Sequence, residues 1–90
     1  MSDKFLFGLA PGWALGYDRN QWILLRRRNS RTGRGWKPFR FVGSTKTVLQ
    51  RVLNESGIRP SANAERGLAA MEENFRDWLL GQQNKWRDAA

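Results

Sequence analysis

The sequence predicts one α+β domain, in which a three-stranded antiparallel sheet packs against two helices in a two-layer β-β-β-α-α arrangement. Three observations lead to this fold class. The length of 90 residues corresponds to a single domain. The first half carries short runs rich in Trp, Ile, Leu and Phe between turn-forming residues, which is typical of strands. The second half carries apolar residues three and four positions apart, which is typical of amphipathic helices.

The strands are expected in the first half of the chain, at residues 13–17, 21–28 and 36–42. The turn-forming pair Pro11 and Gly12 separates the first strand from an apolar segment that precedes it. Asp18-Arg19-Asn20 has the residue types of a turn between the first two strands. Pro38 has no amide N–H to donate, so the third strand is predicted to lie at an edge of the sheet or to carry a bulge. The expected organisation is therefore an apolar arm, a single domain and a polar tail, at residues 1–12, 13–81 and 82–90.

The first helix is predicted over about residues 45–56. Ser44 has the position and the side chain of an N-cap. Gly57 has the position of the left-handed residue that ends many helices, and Ile58 follows it as the apolar residue of a Schellman motif. Its core-facing stripe is predicted to consist of Val48, Leu49, Val52 and Leu53.

The second helix is predicted to begin after a cap at Ser61 or Asn63 and to continue to about Leu80. Gly81 is expected to end it. The apolar positions along this segment have helical spacing and are expected to face the sheet: Leu68, Met71, Phe75, Trp78 and Leu79.

The alternation of side chains along a strand predicts two chemically different faces of the sheet. The face toward the helices is expected to carry Ile23, Leu25, Phe39 and Phe41. The opposite face is then expected to display Trp22, Arg26, Arg28, Trp36 and Arg40. Arginine binds phosphate in a bidentate manner and tryptophan offers a stacking surface, so this face is a candidate binding surface. The alternative interpretation is a solvated face whose cross-strand Trp pair stabilises the hairpin.

The net charge of +8 comes from one segment of the chain. Residues 19–54 hold ten Lys or Arg residues and no Asp or Glu, whereas the segments on either side are each slightly acidic. A concentrated basic surface attracts polyanions and speeds their capture. The expected partners are nucleic acid, a nucleoprotein complex or an acidic protein surface.

Several function classes are disfavoured by composition. The chain contains no His and no Cys, which removes the commonest general base, the commonest metal ligands and any disulfide. We therefore expect a protein that is not an enzyme, with no cofactor, no metal and no small-molecule substrate. The absence of Cys fits a reducing cytoplasm, which is where we expect this protein. The apolar run in the arm is far shorter than the roughly 20 residues of a membrane span, so we expect no membrane partner.

The segment from Gly43 to Lys46 reads Gly-Ser-Thr-Lys but does not have the spacing of a P-loop. A helix N-terminus beside Lys46 could still hold one phosphate. The alternative is an ordinary helix cap.

The strand order, with Trp36 on the third strand and Phe-Val-Gly-Ser-Thr-Lys over residues 41–46 leading into the helix, resembles the three-stranded DNA-binding domains of plant ethylene-response factors and integrase arms. The resemblance covers about residues 15–56. It implies a sheet inserted in the major groove that reads DNA with Arg and Trp.

The whole chain also resembles small phage and prophage proteins in which a Trp-bearing hairpin precedes a Ser-Thr-capped helix and a second amphipathic helix. The residues that carry this resemblance in the hairpin are Trp22-Ile23-Leu24-Leu25 and Trp36. Several small phage proteins of this size are inhibitors of bacterial defence, including anti-CRISPR proteins. The resemblance implies action in the cytoplasm of a host cell.

The leading hypothesis is a non-catalytic, phage-type inhibitor that binds a host nucleoprotein defence complex through a basic, Trp-bearing sheet face. The alternatives are a DNA-binding regulator with a three-stranded sheet in the major groove and an interaction module for an acidic protein surface. The predicted contact residues are Trp22, Arg26, Arg27, Arg28, Arg31, Arg34, Trp36, Lys37, Arg40 and Lys46.

Overall fold

The computed structural model describes residues 4–27 and 35–89, and it is an α+β domain, as predicted. Four antiparallel strands lie side by side in chain order: β1 (Lys4–Ala10), β2 (Trp13–Tyr17), β3 (Trp22–Arg27) and β4 (Trp36–Val42). Three helices follow: α1 (Lys46–Glu55), α2 (Ala62–Ala69) and α3 (Phe75–Ala89). The sheet therefore has one strand more than predicted and the helical layer has one helix more.

The additional strand is β1, which lies where the sequence suggested only an apolar arm. Pro11 and Gly12 form a two-residue turn that pairs β1 with β2, and Gly12 has φ +81°, a conformation that glycine adopts readily. The register of β1 shifts twice, between Phe5 and Phe7 and between Gly8 and Ala10. These irregularities let four apolar side chains pack against one core: Leu6, Phe7, Leu9 and Ala10.

The turn between β2 and β3 is built by Asp18. Its carboxylate accepts hydrogen bonds from the backbone N–H groups of Asn20 at 2.7 Å and Gln21 at 3.0 Å. Asp side chains favour such local bonds, which is why the sequence identified a turn here. The turn sets a regular register over all of β2, in which Tyr17 lies opposite Trp22 and Trp13 lies opposite Arg26.

Helix α1 begins and ends close to the predicted residues. Its N-cap is Thr45, one residue later than predicted, and the Thr45 hydroxyl accepts from the Val48 N–H at 3.3 Å. Gly57 has φ +71°, and the Ile58 N–H donates to the Leu53 carbonyl at 2.9 Å. These two features are the Schellman motif that the sequence predicted.

The predicted second helix is two helices, because the chain breaks between α2 and α3. Ser61 caps α2, as predicted, by accepting from the Ala64 N–H at 3.2 Å. The break brings Asn74 into a bridge with Thr45, and the Phe75 N–H donates to the Ser44 carbonyl at 3.0 Å. The first turns of α1 and α3 are thereby joined by backbone hydrogen bonds that one continuous helix would not make.

Helix α3 continues past the predicted end. Gly81 lies inside it and the helix reaches Ala89, so most of the predicted polar tail is helical. A single glycine in a helix interior costs about 1 kcal/mol relative to alanine, which weakens a helix without ending it.

The main core lies between the sheet and the helices. It includes Leu15 and Leu24 of the sheet, Leu49 of α1 and Leu68 of α2. At its centre the fully buried indole of Trp22 meets the Phe75 ring edge-on, with 5.1 Å between the ring centroids. Large aromatic side chains dominate burial energetics, so this cluster anchors the helical layer.

Candidate binding surfaces

The sheet is turned over relative to the prediction. Trp22 and Leu24 belong to the core beneath the helices, whereas Ile23 and Leu25 form a second buried cluster with Ala14. We call the face that carries Trp22 and Leu24 the helix side, and the face that carries Ile23 and Leu25 the outer face. The prediction was wrong because residues 22–25 are apolar without interruption, so alternation alone does not show which pair lies beneath the helices.

A bulge in β4 places two residues of the predicted binding face on opposite sides of the sheet. Arg40 pairs with Leu24, but the next pair is Pro38 with Leu25, which leaves Phe39 as an extra residue. Trp36 and Arg40 are four residues apart and would share one face of a regular strand. Because of the bulge, Arg40 lies on the helix side and Trp36, opposite Arg27, lies on the outer face.

At the end of β3 the helix side carries a cluster that we call the basic corner. It consists of Trp13, Arg26, Lys37, Phe39 and Arg40. The Arg26 guanidinium lies over the Trp13 ring, 5.6 Å from its centroid, and the Phe39 ring meets Trp13 edge-on at 5.1 Å. Arg26 pairs directly with Lys37, so their side chains share a face. The three cationic side chains are exposed.

The basic corner has the chemistry of an anion-binding surface. Guanidinium groups match the geometry of phosphate oxygens, and stacking on an aromatic ring restricts the orientation of Arg26. Phe39 is 44% exposed although it is a large apolar side chain. An exposed ring among cations is a surface on which a planar ligand can stack.

The outer face carries a second surface, which we call the aromatic face. It consists of Phe5, Trp36 and Phe41 around the buried cluster of Ala14, Ile23 and Leu25. Phe5 and Trp36 come from the two edge strands, yet their ring centroids are 5.9 Å apart. The sheet therefore curves around this face. Phe41 is 55% exposed, and the buried cluster forms the floor between these rings.

Two of the predicted contact residues have structural roles. Trp22 is in the core and is 0% exposed, so it is unavailable to a partner. The Lys46 ammonium donates to the Met71 carbonyl at 2.9 Å, which ties the start of α1 to the break between α2 and α3.

A carboxylate of the protein itself, that of Glu73, binds the start of α1. The Glu73 carboxylate accepts from the Thr47 hydroxyl at 2.6 Å and from the Thr47 N–H at 3.0 Å. These two hydrogen bonds, with a smaller contribution from the charge of Lys46, lower the pKa of Glu73. Glu73 thus occupies the position that a phosphate would take, which favours the cap over the phosphate site.

The remaining predicted contact residues are divided between the two surfaces. Arg26, Lys37 and Arg40 belong to the basic corner, while Arg27 and Trp36 lie on the outer face. Arg28, Arg31 and Arg34 lie outside the described residues. The sequence pattern did not predict Trp13 or Phe5 as members of these surfaces, nor the exposure of Phe39 and Phe41. Pro38 was the available signal, because a bulge beside it changes which face the neighbouring residues occupy.

Among the described residues, grooves also lie in the helical layer, away from both surfaces. One, of about 400 Å³, runs between α1 and α2 and is lined by Leu53, Ile58, Glu65 and Leu68, among others. The second, of about 230 Å³, lies between β1 and the last two helices. Their described charged lining residues are acidic, so neither groove extends the basic surface.

No family model matches this chain, and neither a curated protein nor a solved structure gives a match. Within residues 4–27 and 35–89, no helix is both long and apolar enough to cross a membrane. The two surfaces of the sheet are the candidate functional sites of the described residues.

Proposed function

We propose that this chain is a small non-catalytic binding protein that recognises a nucleoprotein target, and that its setting is that of a phage inhibitor acting on a host defence complex of the CRISPR type in the cytoplasm. One observation carries the proposal. The sheet presents a basic corner on one face and an aromatic face on the other. A target that contains both nucleic acid and protein offers a complementary surface to each.

The basic corner is suited to the nucleic-acid part of such a target. Its three exposed cations lie on two neighbouring strands, in the segment that holds ten basic residues and no acidic residue. Cationic side chains that neutralise phosphates release counterions, and this release supplies much of the affinity for nucleic acid.

The aromatic face is suited to the protein part. Trp and Phe are enriched in protein interfaces, and the residues that dominate binding energy are often aromatic anchors at the centre of a desolvated patch. Phe5, Trp36 and Phe41 form a patch of this kind, with Arg27 at its margin. A nucleic acid would not cover such a surface as favourably, because the patch is mainly apolar.

The two alternative functions, a DNA-binding regulator and a module for an acidic protein surface, explain fewer features of the two surfaces. A sheet that reads the major groove needs hydrogen-bonding side chains on the face that enters the groove. Here the face free of helices is the aromatic one, and Arg26 and Arg40 lie on the other side. An acidic protein partner would explain the basic corner but leaves the aromatic face without a role.

The proposal is tested by affinity capture from a bacterial lysate, with and without nuclease, using variants of each surface. We expect the wild-type chain to retain a discrete protein together with nucleic acid. Phe41→Ala should lose the protein, and its control is Leu80→Ala, since Leu80 on α3 is similarly exposed at 53%. Arg40→Ala should lose nucleic acid, and its control is Arg51→Ala on the exposed side of α1.

The inhibitory setting is tested in cells. A phage that is restricted by a CRISPR effector should recover plating efficiency when this chain is expressed. Expression of the Phe41→Ala variant should restore plating efficiency to a smaller extent. Capture of nucleic acid with a reproducible base consensus and no protein would contradict the proposal and favour the DNA-binding regulator. Failure to restore plating against a panel of effectors would contradict the inhibitory setting alone.

A further inference from the structure

The basic corner combines positive charge with an exposed ring in a fixed position. The bulge in β4 turns Phe39 toward Trp13, and the edge-on contact at 5.1 Å holds its ring. Arg26 covers one part of Trp13 from 5.6 Å. Phe39 remains 44% exposed, so part of its ring is open to a ligand.

An exposed ring flanked by cations discriminates between forms of nucleic acid. In a duplex the bases stack on each other and only their edges are reachable in the grooves. In a single strand the faces of the bases are open and can stack on aromatic side chains, while cations follow the phosphates. The basic corner has a ring to receive a base face and exposed cations for the backbone.

The dimensions of the basic corner fit a short segment of strand. Trp13, Arg26 and Lys37 lie on three adjacent strands, and neighbouring strands are about 4.8 Å apart. The cluster therefore extends roughly 10 Å across the sheet, which corresponds to a few nucleotides.

We propose that the ligand of the basic corner is single-stranded nucleic acid, with one base stacked on Phe39 and the adjacent phosphates bound by Arg26, Lys37 and Arg40. This inference rests on the proposed function, since it specifies the nucleic-acid component of the target. Recognition by stacking tolerates any base, so little sequence preference is expected.

The test is fluorescence anisotropy with three labelled probes of equal length: a single-stranded 12-mer, the matching duplex and an abasic 12-mer. The wild-type chain should bind the single strand at least tenfold more tightly than the duplex. Phe39→Leu should weaken single-strand binding about 5- to 150-fold, the range for loss of one base–aromatic stack. The abasic probe should bind weakly and be insensitive to this substitution.

The matched control is Leu80→Ala. Leu80 lies on α3, outside both surfaces of the sheet, and its exposure of 53% is similar to the 44% of Phe39. It should change single-strand affinity less than twofold. Phe39→Tyr preserves the ring and should retain affinity, which separates stacking from a general effect of substitution at this position.

Equal affinity for duplex and single strand, or an unchanged affinity in Phe39→Leu, would overturn the inference. If Arg40→Ala still weakened binding in that case, the electrostatic contact in the proposed function would stand. Failure of all three probes to bind at low salt would also overturn it. The capture experiment then decides separately whether a nucleoprotein is the target.

Discussion

Strand β3 contains two regions with opposite surroundings. Residues 22–25 are buried on both faces of the sheet, whereas Arg26 and Arg27, which follow directly, are exposed on both. The first region contributes Trp22 and Leu24 to the core beneath the helices, and Ile23 and Leu25 to the floor of the aromatic face. The second lies beyond the helices, at the end of the sheet where the basic corner begins.

The difference separates the residues of this strand that stabilise the fold from those that are accessible to a partner. The buried region supplies large apolar side chains to two clusters, and its removal would leave cavities on both sides of the sheet. The exposed region contributes charges to two surfaces and little to the core. Substitutions in the two regions should therefore affect different measurements.

The largest expected effect is on stability, from Trp22→Ala. Trp22 is completely buried and contacts Phe75 and Trp78. Its truncation should lower the free energy of unfolding by about 3–5 kcal/mol, as large-to-small core substitutions of aromatic residues do. Urea denaturation of the variant and the wild type measures the difference. A loss below about 1 kcal/mol, within the range of ordinary substitutions, would mean that the buried region is not the centre of the fold.

A second variant at this position refines the comparison. The Trp22 indole N–H is buried and has no hydrogen-bond partner among the described residues. An unsatisfied buried donor is itself unfavourable. Trp22→Phe removes this donor along with part of the ring, so it should destabilise the fold by less than Trp22→Ala.

Substitution in the exposed region, or of its neighbour Arg40 in the basic corner, should change binding instead. Arg26→Ala and Arg40→Ala should each alter the free energy of unfolding by only about 0.5 kcal/mol, because exposed substitutions have small effects. If each side chain neutralises one phosphate of a single strand, each loss should make the slope of log K against log salt less negative by about 0.7. Titrations at four salt concentrations measure the slope, with Arg51→Ala as the control. A large loss of stability in either variant would show that the region also belongs to the core.

The sequence predicted the features that depend on short-range chemistry. The Asp18 turn, the Ser61 cap and the Gly57 helix end each use hydrogen bonds within a few residues, so the residue types alone indicate them. The α+β class and the position of Pro38 in an edge strand with a bulge were also correct.

The features that depend on contacts between distant segments were missed. The break before α3 is stabilised by the pairing of Asn74 with Thr45, which no local pattern reveals. β1 pairs through a two-residue turn, but its two register shifts obscure the alternation expected of a strand. The basic corner was predicted only in part, because the bulge at Phe39 changes the face on which Trp36 lies.

The smallest expected effect is on stability and comes from the carboxylate of Glu73. This charged group lies in the helical layer and binds another part of the protein. Glu73 accepts two hydrogen bonds from Thr47 at the start of α1, and these lower its pKa. A carboxyl group whose pKa is lower in the folded than in the unfolded chain stabilises the fold at pH values above its ordinary pKa, which is about 4.3 for Glu. This stabilisation is lost as the pH falls through the lowered value. Because Glu73 is exposed, the effect should be small.

The comparison of Glu73→Gln with the wild type from pH 7 to pH 2.5 tests this assignment. The wild type should have the higher melting temperature at pH 7, and the difference should shrink below about pH 4.3 as the carboxyl group is protonated. Thr47→Val removes the hydroxyl donor at 2.6 Å, so it should reduce the effect of Glu73→Gln on the melting temperature. Adding Glu73→Gln to Thr47→Val should therefore lower the melting temperature only a little further. A difference that stays constant across this pH range would show that the carboxylate is not what joins α1 to the break before α3.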